Sequence, residues 1–163
     1  MSNANNVLKS MKDGGVKYLD LRFTDPRGKW QHLTMDGTVV DEDMLSNGVF
    51  FDGSSISGWK AINESDMVLK PDLTTTVMDP FTAQPTMMIF CDILDAVTKE
   101  PYGRDPRGTA RKAEALVKSS GVGDTIYMGP EAEFFVFDDV KFSVEMNKSM
   151  FAIDSTEGPY NTD

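Results

Sequence analysis

VKYLDLRF, residues 16–23, is the segment from which the architecture of the first part of the chain can be worked out. Apolar residues alternate with polar ones along it, which is the pattern of a half-buried β-strand. A turn sequence follows at residues 25–28, and a second extended run spans residues 30–35. The proline and glycine of that turn favour a tight reversal, so the two runs are predicted to form a hairpin.

Further elements are predicted around this hairpin. Residues 4–13 carry apolar side chains at helical spacing and are followed by two glycines, which predicts a short helix. A helical turn is expected from Asp41 to Leu45, and strand-like runs occupy residues 67–69 and 86–94. Strands with one or two short helices make a compact α+β unit that ends near residue 98.

A linker rich in proline, glycine and charge covers residues 99–107. Asp105 is then predicted to cap a helix that ends at Gly121. Residues 125–137 are predicted to form a strand, and the alternating residues 141–146 are predicted to pair with it as a hairpin. From residue 154 the chain turns polar and stops without a closing element.

The composition limits the classes of function. A chain of 163 residues suits one domain, or a small domain followed by part of a second. Its 16 basic and 26 acidic side chains give a net charge of −10 and a pI of about 4.5. This charge disfavours nucleic acid or an anionic membrane as a partner.

The single cysteine and the single histidine limit the kinds of disulfide and metal site that the chain can contain. The one cysteine, Cys91, cannot form an internal disulfide and fits a reducing compartment, and the one histidine, His32, excludes a histidine-rich zinc site. Both are expected to be structural, so a metal would need oxygen ligands. The N-terminus lacks a signal pattern, and no run approaches the ~18 apolar residues of a membrane span. We therefore expect a cytoplasmic protein.

The sequence GPEAEFFVFD, residues 129–138, contains two glutamates in apolar surroundings. In a strand, Glu131 and Glu133 would share a face about 6.6 Å apart, so they could bind the same divalent cations. Aromatic residues continue both faces, so both glutamates are expected to be buried, and buried carboxylates need cations or hydrogen-bonding partners. The alternative is a half-exposed strand whose glutamates face water.

The sequence FFDGSSISGW, residues 50–59, is predicted to be a structured loop and neither strand nor helix. In one interpretation Asp52 and the serines only close a turn, while Trp59 fills the core. In the other, the loop presents a carboxylate and a large aromatic side chain to a ligand, as loops positioned by a rigid sheet often do.

Several segments, in order along nearly the whole chain, closely resemble the N-terminal signatures of bacterial type I glutamine synthetase. These segments are YLDLRFTD (18–25), FDGSS (51–55), SGWK (57–60), NESDM (63–67), MDPF (78–81), CDIL (91–94) and GPEAEFF (129–135). The resemblance implies an α+β fold with a β-grasp domain over residues 14–98. It also implies that residues 105–163 begin an α/β catalytic domain.

The resemblance further implies ATP-dependent ligation of ammonium to L-glutamate through a γ-glutamyl phosphate. Glu131 and Glu133 would be ligands of Mg²⁺ or Mn²⁺, since phosphoryl transfer needs cations held by hard oxygen ligands. Asp52 would bind ammonium and help to remove its proton, and Ser55 and Trp59 would shape that pocket. In this family the loop reaches a neighbouring subunit of a ring-shaped homo-oligomer, a dodecamer in the full-length enzyme.

The family's catalytic domain continues far beyond residue 163, so the chain resembles an N-terminal fragment that is inactive by itself. Two alternatives remain open. The chain could be a non-catalytic β-grasp interaction module that binds a full-length synthetase or another protein. It could also come from a relative that ligates glutamate to amines instead of ammonia.

Overall fold

The structure, a computed structural model, describes residues 3–161. Two compact units are present: one extends to Ile126, and the other begins at Tyr127.

The first unit contains three helices and six strands within the described residues. The helices are α1 (Ala4–Asp13), α2 (Glu42–Asn47) and α3 (Pro106–Ser120). The strands are β1 (Tyr18–Thr24), β2 (Trp30–Asp36), β3 (Val49–Asp52), β4 (Asp66–Pro71), β5 (Val77–Met78) and β6 (Thr86–Asp95). Short 3-10 turns lie at Gly37–Val39, Gly53–Ser55, Ile62–Glu64 and Leu73–Thr75.

The six strands form one mixed sheet in the order β2-β1-β6-β4-β3, with β5 also paired to β6. Strands β1 and β6 are parallel at its centre, and every other pairing in it is antiparallel. Side chains from α1 and α2 join the sheet's buried residues in one hydrophobic core. This arrangement confirms the α+β class and the β-grasp-like sheet that the resemblance implied.

The predicted hairpin of β1 and β2 is confirmed, and Asp25 stabilises its turn. One carboxylate oxygen of Asp25 accepts the backbone N–H groups of Arg27 and Lys29, and the other accepts the side-chain amide of Gln31. Gly28 has a φ of +83°, which favours glycine because it lacks a Cβ. The turn chemistry read from the sequence therefore corresponds to the turn that forms.

Cys91 lies in the core, as expected of a structural residue, whereas the His32 side chain is exposed and contacts one buried carboxylate. Cys91 is fully buried, and burial raises the pKa of its thiol. His32 Nδ1 lies 2.8 Å from Oδ1 of the buried Asp20, which also binds Thr34 and Arg22. Burial opposes ionisation of Asp20, but the hydrogen bonds from Thr34, Arg22 and His32 outweigh it and lower the pKa of the carboxyl group.

Helix α3 forms as predicted, between its Asp105 N-cap and Gly121, but it belongs to the first unit. The helix has no buried face, since no residue of α3 is buried and Leu116 is exposed. Polar contacts hold the helix instead. Arg107 binds Asp72 and Asp92, and Arg111 binds the same two carboxylates at 2.9 Å.

The second unit contains one hairpin, β7 (Asp139–Glu145) and β8 (Lys148–Asp154), within its described residues. The prediction of a strand over residues 125–137, paired with residues 141–146, is wrong. Residues 125–137 are irregular, and β7 pairs with β8. An apolar run forms a strand only when a neighbouring strand offers it hydrogen bonds, and residues 125–137 pair with no strand within the described residues.

The prediction that residues 50–59 contain no regular strand is also wrong at their start. Strand β3 runs to Asp52 and pairs antiparallel with β4, with Phe50 opposite Val68. Val49 and Phe51 pack against the core while Phe50 points outward, so the alternation of a half-buried strand is present. The glycines and serines that predicted a loop begin at Gly53, after the strand has ended at Asp52.

Candidate functional site

The candidate site in the first unit is the turn that follows β3, where Asp52 is exposed. Its Oδ1 accepts the backbone N–H of Ser54 at 2.8 Å and the Ser54 hydroxyl at 2.6 Å. Gly53 is buried and donates its N–H to the carbonyl of Ser65 at 2.7 Å. A Cβ on Gly53 would lie 2.2 Å from the sulfur of Met67, so only glycine allows the turn to pack this closely.

Asp52 is an exposed anion at this turn. Hydrogen bonds from the Ser54 hydroxyl and backbone, with a smaller contribution from Ser65, lower the pKa of the Asp52 carboxyl group. Such an ionised group attracts cations, and its low pKa makes it a better cation ligand than a proton acceptor at neutral pH.

Trp59 lies in the core and not beside Asp52 at the surface. Its side chain is 5% exposed, and its ring centroid lies 5.5 Å from that of Phe23, 6.1 Å from Phe51 and 5.8 Å from Tyr102. Its indole N–H is buried and has no hydrogen-bond partner within residues 3–161. Ser55 is exposed. The structure therefore supports the core-filling interpretation of Trp59, while the predicted contacts of Trp59 and Ser55 with a substrate stay predictions.

Two residues of the segment 99–107, which the sequence indicated only as a linker, hold the end of this loop. The Tyr102 hydroxyl donates to the Trp59 carbonyl at 2.9 Å, and Arg104 Nη1 donates to the Gly58 carbonyl at 2.7 Å. Lys60 forms an ion pair with Asp95 at 3.3 Å. The sequence carries no signal for the contacts of Tyr102 and Arg104, because they join residues about 40 positions apart through two backbone carbonyls.

Asp95, which accepts backbone hydrogen bonds and pairs with Lys60, is expected to make an acid-sensitive contribution to stability. Hydrogen bonds from the backbone of Thr98 and Val97, and from Lys60, lower the pKa of Asp95 from 3.8 to about 2. An acid whose pKa is lower in the folded state stabilises the fold above its unfolded pKa and loses that effect as the pH falls through the folded pKa. The contribution should therefore be complete above about pH 4 and disappear towards pH 2.

Urea unfolding of the wild-type chain and Asp95→Asn between pH 6 and pH 2 checks this. We expect the wild type to be the more stable protein at pH 6 and the difference to shrink as the pH falls below 4. A difference that stays constant over this pH range would contradict the assignment.

Glu131 and Glu133 lie in the second unit, in the irregular segment, and both are exposed. The prediction that they share a strand face in buried surroundings is therefore wrong. The aromatic residues expected to bury them are themselves exposed, Phe134 at 81% and Phe135 at 86%. The rings of Phe135 and Phe137 stack at 6.1 Å, and these residues line an open groove of about 550 Å³ with Ile153 and Tyr160.

The donor chemistry of the two glutamates fits a hard divalent cation, because Mg²⁺ and Mn²⁺ prefer carboxylate oxygens. Within the part of the chain that the structure describes, no three histidine, cysteine, aspartate or glutamate side chains gather in a way that could hold a metal ion. Glu131 and Glu133 alone would supply two of the ligands that such an ion needs. The rest would have to come from substrate, water or other residues.

The chain matches family profiles over most of its length. The profile of the glutamine synthetase β-grasp domain matches residues 15–96, and the profile of the glutamine synthetase catalytic domain matches residues 103–163. The chain belongs to the glutamine synthetase family.

Named relatives agree with this assignment. The chain is 64% identical over all 163 residues to a glutamine synthetase of Bradyrhizobium diazoefficiens and 65% identical to one of Rhizobium meliloti. A glutamine synthetase of Vibrio cholerae is 50% identical over 157 residues. These matches cover 96–100% of the chain and about 35% of each relative, so the chain spans about a third of the length of these proteins.

Solved structures share the fold. Plasmodium falciparum glutamine synthetase superposes with a TM-score of 0.75 at 22% identity, over 96% of this chain and 30% of that protein. A complex of GmaS with ADP gives a TM-score of 0.64 at 18% identity, over 74% of this chain and 26% of that protein. Among residues 3–161, no helix combines the length and apolar character needed to cross a membrane.

Proposed function

We propose that this chain is the N-terminal part of a glutamine synthetase that joins ammonium to L-glutamate with ATP, giving glutamine, ADP and phosphate through a γ-glutamyl phosphate. The observation that carries the proposal is the identity of 64–65% with named glutamine synthetases along all 163 residues. The exposed anion Asp52, held at the end of β3, supports it. As the family resemblance implied, residues 14–98 form the β-grasp domain and residues 105–163 begin the catalytic domain.

Each candidate residue has a defined part in this proposal. Asp52 attracts ammonium and takes up the proton that leaves the nitrogen, which it then releases to water because its pKa is low. Ser54 keeps the resting carboxylate ionised through two hydrogen bonds. Ser55 and Trp59 shape the ammonium pocket. Glu131 and Glu133 would hold Mg²⁺ or Mn²⁺, and that ion would supply positive charge near the transferring phosphoryl group of ATP.

The active protein is a homo-oligomer, a dodecamer in its full-length form, in which the Asp52 turn serves the catalytic domain of a neighbouring subunit. The lone buried thiol, Cys91, agrees with a reducing, cytoplasmic location. Glutamate–amine ligation is the second candidate within the same family, and the identity of 64–65% with named glutamine synthetases favours ammonium. The third candidate is a β-grasp interaction module without catalytic activity.

A coupled assay of ATP-dependent glutamine formation tests the proposal. The purified 163-residue chain should show no turnover, because two carboxylates cannot complete a catalytic metal site. The extended polypeptide, defined here as this chain continued by the remaining residues of the Bradyrhizobium diazoefficiens relative, should form glutamine with Mg²⁺ or Mn²⁺. Turnover by the chain alone would contradict the fragment interpretation, and an inactive but folded extended polypeptide would contradict the proposed activity.

In that extended polypeptide, Glu131→Gln with Glu133→Gln should raise the metal concentration needed for half-maximal activity, since a neutral amide is a weaker ligand than a carboxylate. Glu145→Gln, on the exposed hairpin of the same unit, is the matched control. An unchanged metal requirement in the double variant would exclude both glutamates as ligands.

A further inference from the structure

Residues 101–105, called here the clasp, cover the edge of β6 that faces away from β4 and that β1 leaves unpaired beyond Phe90. Strand β1 pairs with β6 only as far as Phe90. Beyond that point, Tyr102 donates its N–H to the Ile93 carbonyl at 2.8 Å, and the Ile93 N–H binds the carboxylate of Asp105 at 3.2 Å. Asp105 also caps α3. The clasp is therefore fixed on both the sheet and the helix.

From this fixed position the clasp reaches the loop that begins at Asp52. The Tyr102 hydroxyl binds the Trp59 carbonyl at 2.9 Å, and the Arg104 guanidinium binds the Gly58 carbonyl at 2.7 Å and the Trp59 carbonyl at 3.3 Å. The Tyr102 ring packs edge-on against the indole of Trp59 with centroids 5.8 Å apart. Two side chains of the clasp therefore satisfy two consecutive carbonyls at the far end of the loop.

The near end of the loop is held independently, by β3 and by the hydrogen bond from Gly53 to Ser65. Between these two ends, residues 54–58 have few buried side chains, and Gly58 takes a φ of +88° that a flexible glycine can easily leave. Loops with little burial open at low free-energy cost. Without the clasp, the buried side chains of Ile56 and Trp59 would still hold the far end of the loop. The carbonyls of Gly58 and Trp59 would lose their side-chain hydrogen bonds, so the backbone of residues 54–59 would open more readily.

We propose that Tyr102 and Arg104 are positioning residues for the Asp52 turn, holding it in the conformation that presents the carboxylate. This inference rests on the function proposed for Asp52. The clasp therefore does more than connect the sheet to α3. It lies where the catalytic domain is proposed to begin, and it also fixes the conformation of the Asp52 loop in the preceding domain.

Hydrogen exchange on the 163-residue chain tests the physical part. In Tyr102→Phe with Arg104→Ala, the amides of residues 53–60 should exchange about 30-fold faster, because two hydrogen bonds that each contribute on the order of 1 kcal/mol are lost together. The amides of β1 and β6 should keep their wild-type rates. Arg104→Lys, which retains one cationic donor, should restore part of the protection. Tyr18→Phe, a change on the exposed edge of the same unit, is the control.

Fluorescence gives a second reading of the same loop. In a Trp30→Phe background Trp59 is the one remaining tryptophan, and its quenching by acrylamide should increase in the double variant. Unchanged exchange and quenching would overturn the inference. A uniform increase across β1, β6 and the loop would also overturn it, because the two residues would then stabilise the whole unit and not the turn.

Kinetics of the extended polypeptide test the consequence for Asp52. The double variant should raise the KM for ammonium at least fivefold and leave the KM for ATP unchanged, a split that general destabilisation does not produce. An opened loop with an unchanged ammonium KM would overturn the positioning role and leave the proposed synthetase activity intact. An extended polypeptide that forms no glutamine would overturn the proposed function, while the exchange result would still stand.

Discussion

Asp52→Asn in the extended polypeptide should lower kcat/KM for ammonium by about 100- to 10,000-fold, the range in which a positioned ionisable group contributes to catalysis. The amide oxygen of asparagine can still accept the two hydrogen bonds from Ser54, so the turn should keep its shape. The substitution removes the negative charge that attracts ammonium and takes up the proton that ammonium loses. Steady-state kinetics at varied ammonium, with glutamate and ATP saturating, measure the effect.

Asp36→Asn is the matched control for this substitution. Asp36 is also exposed, and its Oδ1 accepts the backbone N–H of Thr38 at 2.8 Å and the Thr38 hydroxyl at 2.6 Å, the same arrangement as at Asp52. Hydrogen bonds from Thr38 lower its pKa as well. Because the two turns share their local chemistry, a loss confined to Asp52→Asn would assign the effect to the site. Equal activity in both variants would remove Asp52 from the proposed mechanism.

The comparison of Asp52 with Asp36 also shows how far sequence alone could define this site. Local turn chemistry is readable from short patterns, so the Asp25 hairpin turn and the Asp105 helix cap were predicted correctly. The same chemistry recurs at Asp36 and Asp52, so an aspartate that closes a turn does not by itself indicate function. Only the family resemblance separated Asp52 from its structural counterparts.

Predictions that needed long-range information succeeded less often. The apolar run of residues 125–137 has strand character, yet it is irregular, because strand formation depends on a partner that local pattern does not specify. The predicted burial of Glu131 and Glu133 depended on aromatic neighbours in that strand, so it was wrong once the strand did not form. The clasp was missed for the related reason that Tyr102 and Arg104 bind backbone carbonyls, which every residue carries.

Trp59→Ala should lower the free energy of unfolding of the chain by about 3–5 kcal/mol, the usual cost of removing a large aromatic side chain from a core. The substitution removes the ring that packs between Phe23, Phe51 and Tyr102. Since domains are stable by only about 5–15 kcal/mol, much of the folded population could be lost. Urea unfolding followed by far-UV circular dichroism measures the change without depending on tryptophan fluorescence.

Trp30→Ala is the control, because Trp30 is 56% exposed and its main aromatic contact is with Phe90. Its removal should cost about 1 kcal/mol or less, as surface substitutions usually do. Equal losses from the two variants would show that Trp59 is not a core residue in solution.

Trp59→Phe then separates packing from substrate contact. Phenylalanine removes the unpartnered indole N–H and keeps an aromatic ring, so most of the stability should return. An unchanged ammonium KM in the Trp59→Phe extended polypeptide would show that Trp59 serves the site only by holding the loop in the core. A raised ammonium KM with restored stability would indicate that the indole itself shapes the ammonium pocket.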